Sequence, residues 1–181
     1  MNGSRPLTQE EIQLVLNYFK SDRDKCLFIL GLKTGFRISE LLSIKVSDCT
    51  QYGKISDTLT VERKSMKGKQ SGRRVPLHED AKEALTKVIF GCGLIDKPSE
   101  KLFPFTRQQA HRILKSAYEK AHLVGKVTTH SLRKSFASKV YNALGRDLIN
   151  TQKALGHANI NSTVKYLAFE EEAIDKAIKG K

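Results

Sequence analysis

The sequence predicts a mainly α-helical protein with a small three-stranded antiparallel β-sheet. Apolar residues recur at three- and four-residue spacing over most of the chain, which is the period of an amphipathic helix. The pattern changes to near alternation between Lys45 and Leu77, where β-branched residues are frequent. Helical spacing returns at Glu79. These observations place one short sheet between two helical segments.

Three helices are predicted before the sheet. Thr8-Gln-Glu-Glu11 has the sequence of a capping box and opens the first helix. A second helix covers Lys25–Thr34 and ends near Gly35, because glycine readily adopts the left-handed conformation that terminates helices. A short third helix begins near Ser39.

Three runs of sequence have strand character: Lys45–Cys49, Thr58–Arg63 and Arg73–Leu77. The last two are separated by Lys64-Ser-Met-Lys-Gly-Lys-Gln-Ser-Gly72, a basic turn that contains two glycines. We therefore expect the sheet to end in a mobile, positively charged hairpin.

The sequence after the sheet alternates helices with loops. Ala81–Val88 and Ala110–Ala121 have apolar residues at helical spacing, and Cys92–Phe105 between them is a loop with two prolines. Three later helices are predicted from their N-caps, which are Thr129, Asp147, and Asn161 or Ser162. The helix that starts at Asp147 should end at Gly156, and the last should carry Tyr166.

The composition predicts a nucleic-acid partner. The formal net charge is +13 and the isoelectric point is near 9.7, and a domain this basic usually binds a polyanion. A solubilising surface is the alternative explanation.

A chain of 181 residues suits one compact domain, or a large and a small lobe. No apolar run approaches the roughly 18 residues that span a bilayer.

The cysteines indicate a reducing environment. Cys26, Cys49 and Cys92 are scattered and odd in number, and they have neither zinc-ligand spacing nor the pattern of a disulfide framework. Cys26 lies in an apolar helical stretch and should pack as a small hydrophobic residue. Met1–Leu7 lacks the apolar core of a signal peptide. We therefore expect a cytoplasmic, nucleoid-associated protein.

Five residues along the chain suggest phosphodiester chemistry: Arg37, His130, Arg133, His157 and Tyr166. Two arginines and two histidines offer hydrogen-bond donors for an anion. His130 and Arg133 share one face in the first turn of a predicted helix, where the amides and the dipole also favour an anion. Tyr166 offers an oxygen nucleophile. Any single pair is weak, since His-x-x-Arg also occurs as a surface pair.

Together these motifs resemble the tyrosine recombinase (phage integrase) family, in its catalytic domain. The matching segments are Thr34-Gly-Phe-Arg-Ile-Ser-Glu40, Thr129-His-Ser-Leu-Arg133, Leu155-Gly-His157 and Tyr166. The resemblance runs from about Leu7 to Phe169 and implies the fold of the DNA breaking-rejoining enzymes. It also implies a site-specific DNA recombinase (integrase) that cleaves and rejoins DNA through a 3′-phosphotyrosine, without metal, ATP or another cofactor.

The resemblance implies a role for each residue. Tyr166 is the nucleophile, and Arg37 and Arg133 bind the non-bridging phosphate oxygens. His130 is similar to the base-like histidine of the family, and His157 donates to a phosphate oxygen. Glu40 orients Arg37, although a plain surface salt bridge is a comparable explanation.

The family uses a hairpin lysine as the general acid for the leaving 5′-oxygen. Lys67 is our first choice and Lys69 the second, because the spacing to Arg74-Val-Pro76 can be aligned in two ways. The expected contacts to the DNA backbone are Lys64, Lys69 and Arg73.

The expected partner is double-stranded DNA, with self-association into a tetramer on paired DNA sites. The tail from about 170 to 181 carries an apolar stripe, Ala173–Ile178, which could dock on a neighbouring subunit or on its own chain. We expect residues 1–181 to form a single catalytic domain without the N-terminal core-binding domain of most relatives. The alternatives are a type IB topoisomerase-like enzyme and a non-catalytic DNA-binding regulator.

Overall fold

The computed structural model of the chain describes residues 3–64, 70–164 and 167. These residues are mainly helical. The helices are α1 (Gln9–Leu16), α2 (Asp22–Thr34), α3 (Ile38–Leu41), α4 (Val46–Cys49), α5 (Glu79–Gly91), α6 (Arg107–Lys120), α7 (Thr129–Ala143), α8 (Leu148–Leu155) and α9 (Ile160–Val164). The strands are β1 (Thr50–Gln51), β2 (Lys54–Ile55), β3 (Thr58–Lys64) and β4 (Gln70–Pro76).

The predicted fold class is confirmed, but the sheet differs in detail. Strands β1 and β2 form one antiparallel pair, and β3 and β4 form another, with Thr58 opposite Pro76 and Lys64 opposite Gln70. The predicted strand Lys45–Cys49 is wrong, because this segment forms the single helical turn α4. The Asp48 carboxylate accepts a 2.8 Å hydrogen bond from the Lys45 amide and caps that turn.

The chain divides into two compact units, Met1–Phe136 and Ala137–Lys181. The first unit holds two hydrophobic clusters. One packs α2 and α5 against β3 and β4 and includes Leu30, Leu59 and Leu85, each fully buried. The other packs α1 and α2 against α6 and includes Phe28 and Leu114. Helix α2 belongs to both clusters and is therefore the central element of this unit.

In the second unit, α8 packs against α9. The Asp147 side chain caps α8 by accepting a hydrogen bond from the Asn150 amide, and Gly156 ends that helix at φ +60°. Both ends were predicted correctly. Helix α9 is capped by Asn159, whose side chain accepts from the Asn161 amide at 2.8 Å. The prediction that Asn161 or Ser162 caps it is wrong by two or three residues.

The helix ends of the first unit largely follow the sequence signals. Thr8 and Glu11 form the predicted capping box of α1, and Gly35 ends α2 at φ +60°. Helix α7 is capped one residue earlier than predicted. The Thr128 hydroxyl accepts from the His130 amide at 3.2 Å, while the Ser131 hydroxyl accepts from the Thr128 amide at 3.0 Å.

Two of the three cysteines lie in the core. Cys26 and Cys49 are fully buried, as predicted for Cys26, whereas Cys92 is exposed at the end of α5. Burial raises the pKa of the Cys49 thiol to about 12 and that of Cys26 well above its ordinary value. Within the ranges that the structure describes, no helix combines the length and apolar character needed to cross a membrane.

Candidate active site

Arg37 lies immediately before α3 and is held by Glu40. The Glu40 carboxylate accepts hydrogen bonds from the Arg37 amide at 2.6 Å and from its guanidinium at 3.1 Å. The Glu40 side chain is only 9% exposed, whereas that of Arg37 is 41% exposed. One carboxylate therefore caps the helix and orients an arginine that remains accessible to a ligand.

Arg133 is buried, with a relative exposure of 1%. It lies in α7 and donates a hydrogen bond from its guanidinium to the carbonyl of Gly35. Gly35 ends α2 two residues before Arg37. The two predicted phosphate-binding arginines are thus tied to the same short loop, one within it and one through its carbonyl.

His130 is exposed in the first turn of α7. Partial burial lowers its pKa below the ordinary value, and so do the nearby positive charges of Arg107, Arg133, Arg37 and Lys134, in that order. The imidazole therefore favours its neutral form, the form that can accept a proton. The charges of Arg37 and Arg133 thus both act on His130, and these three residues are called the positive cluster below.

His157 lies in the second unit, immediately after Gly156. Its side chain is buried, and ring atom Nδ1 lies 2.9 Å from the hydroxyl of Thr163 on α9. The Gln152 side-chain amide donates to the backbone carbonyl of His157 at 3.0 Å. The first contact fixes the ring of His157 within this unit, and the second fixes its backbone. Sequence reasoning missed Thr163, because a partner six residues away depends on the intervening turn.

Arg73 is placed differently from the expected DNA-backbone contact. Its side chain is buried, with 8% exposure. It donates to the carbonyl of Thr34 at 2.7 Å and to that of Gly35 at 3.4 Å. The next residue, Arg74, is exposed and donates to the Thr58 hydroxyl at 3.1 Å. Alternation along β4 explains this placement, since Arg73 shares the inner face with Val75.

Several predicted site residues lie outside the described residues. They are Lys67 and Lys69, which fall between β3 and β4 in the sequence, and the predicted nucleophile, Tyr166. Lys64 ends β3, and its side chain also lies outside the description. Their roles remain predictions.

A basic groove beside His130 was not anticipated from the sequence. It has a volume of about 560 Å³ and is lined by Ile38, Arg107, Gln108, His111, Arg112 and Thr129. Arg107, His111 and Arg112 lie on the exposed side of α6, opposite its buried face of Ala110 and Leu114. The spacing of these three residues at i, i+4 and i+5 was the sequence signal that could have predicted a basic face on α6.

Comparison with known proteins assigns the chain to a family. The chain belongs to the phage integrase family, whose family model matches residues 5–172. The resemblance stated from the sequence motifs is thereby confirmed, and so is the assignment of the chain to the tyrosine-type recombinases.

The curated relatives are recombinases and integrases. The chain is 30% identical over 175 residues to the probable integrase/recombinase YoeC of Bacillus subtilis (strain 168), covering 94% of this chain and 92% of that protein. It is 34% identical over 164 residues to the tyrosine recombinase XerC of the same strain, covering 84% of this chain and 51% of that protein. The chain thus spans nearly all of the first relative and about half of the second.

Solved structures share the fold. A crystal structure of XerA recombinase superimposes with a TM-score of 0.80 at 24% identity, covering 99% of this chain and 64% of that one. The XerH site-specific recombinase, solved with its palindromic difH substrate in a post-cleavage complex, gives a TM-score of 0.72 at 25% identity. That match covers 98% of this chain and 53% of the XerH chain.

Proposed function

We propose that this chain cleaves and rejoins double-stranded DNA at specific sites through a 3′-phosphotyrosine intermediate. The observation that carries the proposal is the positive cluster in the first unit. Arg133 donates to the Gly35 carbonyl, two residues before the accessible Arg37, and the charges of both arginines lower the pKa of His130. Such a cluster suits an anion whose negative charge increases during the reaction.

The chemistry follows from the residue types. The Tyr166 oxygen attacks the scissile phosphorus, the bond to the 5′-oxygen breaks, and a phosphotyrosine ester and a free 5′-hydroxyl remain. A tyrosine of pKa about 10 is roughly one part in a thousand phenolate at pH 7, so supplying the reactive form is worth about 4 kcal/mol. Neutral His130 accepts the phenolic proton directly or through water, and the surrounding positive field stabilises the phenolate.

The remaining groups stabilise the transition state and the leaving group. Arg37 and Arg133 bind the non-bridging oxygens, because a planar guanidinium can donate two parallel hydrogen bonds. His157, with its ring held by Thr163, donates to a phosphate oxygen. Lys67 protonates the departing 5′-oxygen. The ester retains the energy of the broken bond, so the reverse attack by a 5′-hydroxyl requires neither ATP nor a metal ion.

The proposed partner is a DNA duplex, bound by a protomer that assembles into a tetramer on paired sites, with the C-terminal tail as an intersubunit contact. The +13 net charge and the basic groove beside His130 support DNA binding. The complex of XerH with its difH substrate supports the same partner. The proposed location of the protein is the cytoplasm, in association with the nucleoid. The relatives are recombinases and integrases, so the topoisomerase-like alternative gains no support.

Covalent trapping tests the proposal. A library of nicked duplexes with a randomised core, in which the released fragment diffuses away, is incubated with the chain in EDTA, and the protein–DNA adducts are isolated in denaturing gels. We expect adducts from the wild type and none from Tyr166→Phe, which loses only a hydroxyl and should bind the recovered duplex with nearly unchanged affinity. Adducts from Tyr166→Phe, or a strict need for Mg²⁺, would contradict the mechanism.

The hairpin lysine is tested by changing the leaving group. Lys67→Ala should cleave a normal substrate slowly and should recover on a 5′-bridging phosphorothiolate, since a thiolate departs without a proton. Lys69→Ala should weaken DNA binding and show no such recovery. The opposite result would assign the general acid to Lys69, and recovery of neither variant would place it outside the hairpin.

A further inference from the structure

The role of Arg73 begins with its position on β4. Residues along this strand alternate between the two faces, and Arg73, Val75 and Leu77 point inward while Arg74 points outward. An arginine on the buried face of a two-stranded sheet is costly unless its guanidinium finds compensating contacts. Its contacts therefore indicate why the charge is placed there.

The Arg73 guanidinium lies at the C-terminal end of α2. It donates to the carbonyls of Thr34 and Gly35, where the helix dipole concentrates partial negative charge. It also lies over the Phe36 ring, 4.9 Å from the centroid, and within 5.7 Å of the centroid of Phe136. Two aromatic rings and two carbonyls thus hold one cation.

These contacts connect the two arginines, Arg37 and Arg133, that form the proposed phosphate clamp. Phe36 immediately precedes Arg37, and Phe136 lies one helical turn after Arg133 on α7. Arg73 and Arg133 also donate to the same acceptor, the Gly35 carbonyl. A single buried side chain therefore contacts the loop that carries one arginine and the helix that carries the other.

We propose that Arg73 is a positioning residue that sets the spacing of Arg37 and Arg133 for a single phosphate group. This inference rests on the proposed function, because it takes the two arginines as the phosphate clamp.

Loss of Arg73 should lower the rate of chemistry more than it lowers DNA binding. A displacement of about 1 Å in a positioning group can cost roughly 10²-fold in rate, so we expect Arg73→Met to slow single-turnover adduct formation roughly 10- to 100-fold. Arg73→Lys should recover part of this loss, because an ammonium group retains the charge but cannot reproduce the planar fork between two carbonyls and two rings. Arg74→Met is the matched control from the outer face of the same strand.

The decisive measurement compares a charged scissile phosphate with a neutral one. The duplex recovered by covalent trapping is synthesised with a normal scissile phosphate and with each diastereomer of a methylphosphonate, in which a methyl group replaces one non-bridging oxygen. This neutral group develops less negative charge in the transition state and needs the arginine clamp less. We expect the rate defect of Arg73→Met to shrink to less than roughly 3-fold on one methylphosphonate diastereomer. The defect of Arg133→Ala should shrink on the same diastereomer. Arg74→Met should leave the ratio of the rates on the phosphate and the methylphosphonate unchanged.

Three results would overturn the inference. An equal loss on the phosphate and on both methylphosphonate diastereomers would assign Arg73 to general stability. A normal rate for Arg73→Met would show that the clamp does not depend on it. If Arg73→Met lowers only the affinity for DNA and not the rate of cleavage, Arg73 would instead be the contact to the DNA backbone that the sequence predicted. If Arg73→Met does not fold, Arg73→Lys carries the same comparison. Absence of any wild-type adduct is a separate result that overturns the proposed function itself.

Discussion

Arg37 and Arg133 lie near the starts of two helices, and the structure holds them in different ways. Arg37 is partly exposed and is oriented by the carboxylate of Glu40 on its own helix. Arg133 is buried and donates to the carbonyl of Gly35, which is 98 residues away in sequence. One arginine thus depends on a local ion pair, whereas the other depends on the packing of distant segments. Residues with the same proposed role therefore carry different costs for stability.

Alanine substitutions at the two arginines should separate catalysis from stability. We expect Arg37→Ala and Arg133→Ala each to lower cleavage by more than about 10²-fold, the usual effect of removing one transition-state donor. In urea unfolding, the free energy of unfolding should also fall by about 2 kcal/mol or more for Arg133→Ala, because one donor to the buried Gly35 carbonyl is lost and a cavity is left behind. Arg37→Ala should lose less than about 1 kcal/mol. Equal stability losses would remove the distinction between the two sites.

Gly35 accepts a hydrogen bond from Arg133 and lies two residues before Arg37, so its substitution affects the support of both arginines. A Cβ at this position would lie 2.3 Å from an atom of the Phe136 ring, and the backbone has φ +60°. We expect Gly35→Ala to reduce the free energy of unfolding by about 2 to 3 kcal/mol. Gly53→Ala is the control, because Gly53 has φ +72° but no atom within 4 Å of its Cβ position, and it should lose only about 1 kcal/mol. Similar losses would show that backbone strain, and not the ring contact, dominates.

Glu40→Gln should affect the Arg37 side of the comparison alone. The amide keeps an acceptor oxygen but loses the charge that pairs with Arg37, so we expect cleavage to fall roughly 3- to 30-fold and stability to fall by about 1 kcal/mol. Glu83→Gln breaks the exposed ion pair with Lys87. It should leave the cleavage rate unchanged and should alter the free energy of unfolding by no more than about 0.5 kcal/mol. A fully active Glu40→Gln enzyme would reduce Glu40 to a helix cap.

Arg107→Gln should produce the smallest effect, a shift in the titration of His130. Removing a nearby positive charge raises the pKa of His130 towards its ordinary value. Because the folded pKa lies below the unfolded value of about 6.5, the unfolded chain binds more protons in the window just beneath that pH, and His130 lowers stability as the pH falls through it. Arg107→Gln should therefore narrow the pH range over which His130 lowers stability, because the folded pKa moves closer to the unfolded one. NMR titration of the His130 ring measures the shift, with Arg112→Gln as the control that should leave it unchanged.

The sequence predicted the features that depend on local chemistry. Thr8, Asp147, Gly35 and Gly156 mark helix ends because their side chains, or the lack of one, satisfy or permit a terminal conformation within a few residues. The family motifs also identified the residues of the positive cluster. The segment Lys45–Cys49 was mistaken for a strand, because a run of five residues fits both periods. Its buried Val46 and Cys49 are three residues apart, as in a helical turn.

Features that depend on distant packing were not predicted. The inward placement of Arg73 requires a partner at the end of α2, and a charged side chain on a strand is more often exposed. The alternation with Val75 was the one signal for it. The contact between His157 and Thr163 depends on the turn between α8 and α9. The influence of Arg107 on His130 arises between two helices that are separated in the sequence. Such contacts are properties of the assembled chain.

The contrast among the three cysteines has a practical consequence for experiments on this chain. Cys26 and Cys49 are enclosed in the core, and burial keeps both thiols protonated, so the folded protein withholds them from alkylating reagents. Cys92 is exposed at the end of α5. A maleimide fluorophore at neutral pH should therefore couple at one position without any mutation. The natural chain can thus report its own arrival on labelled DNA by energy transfer, and reaction of the other two thiols would report unfolding.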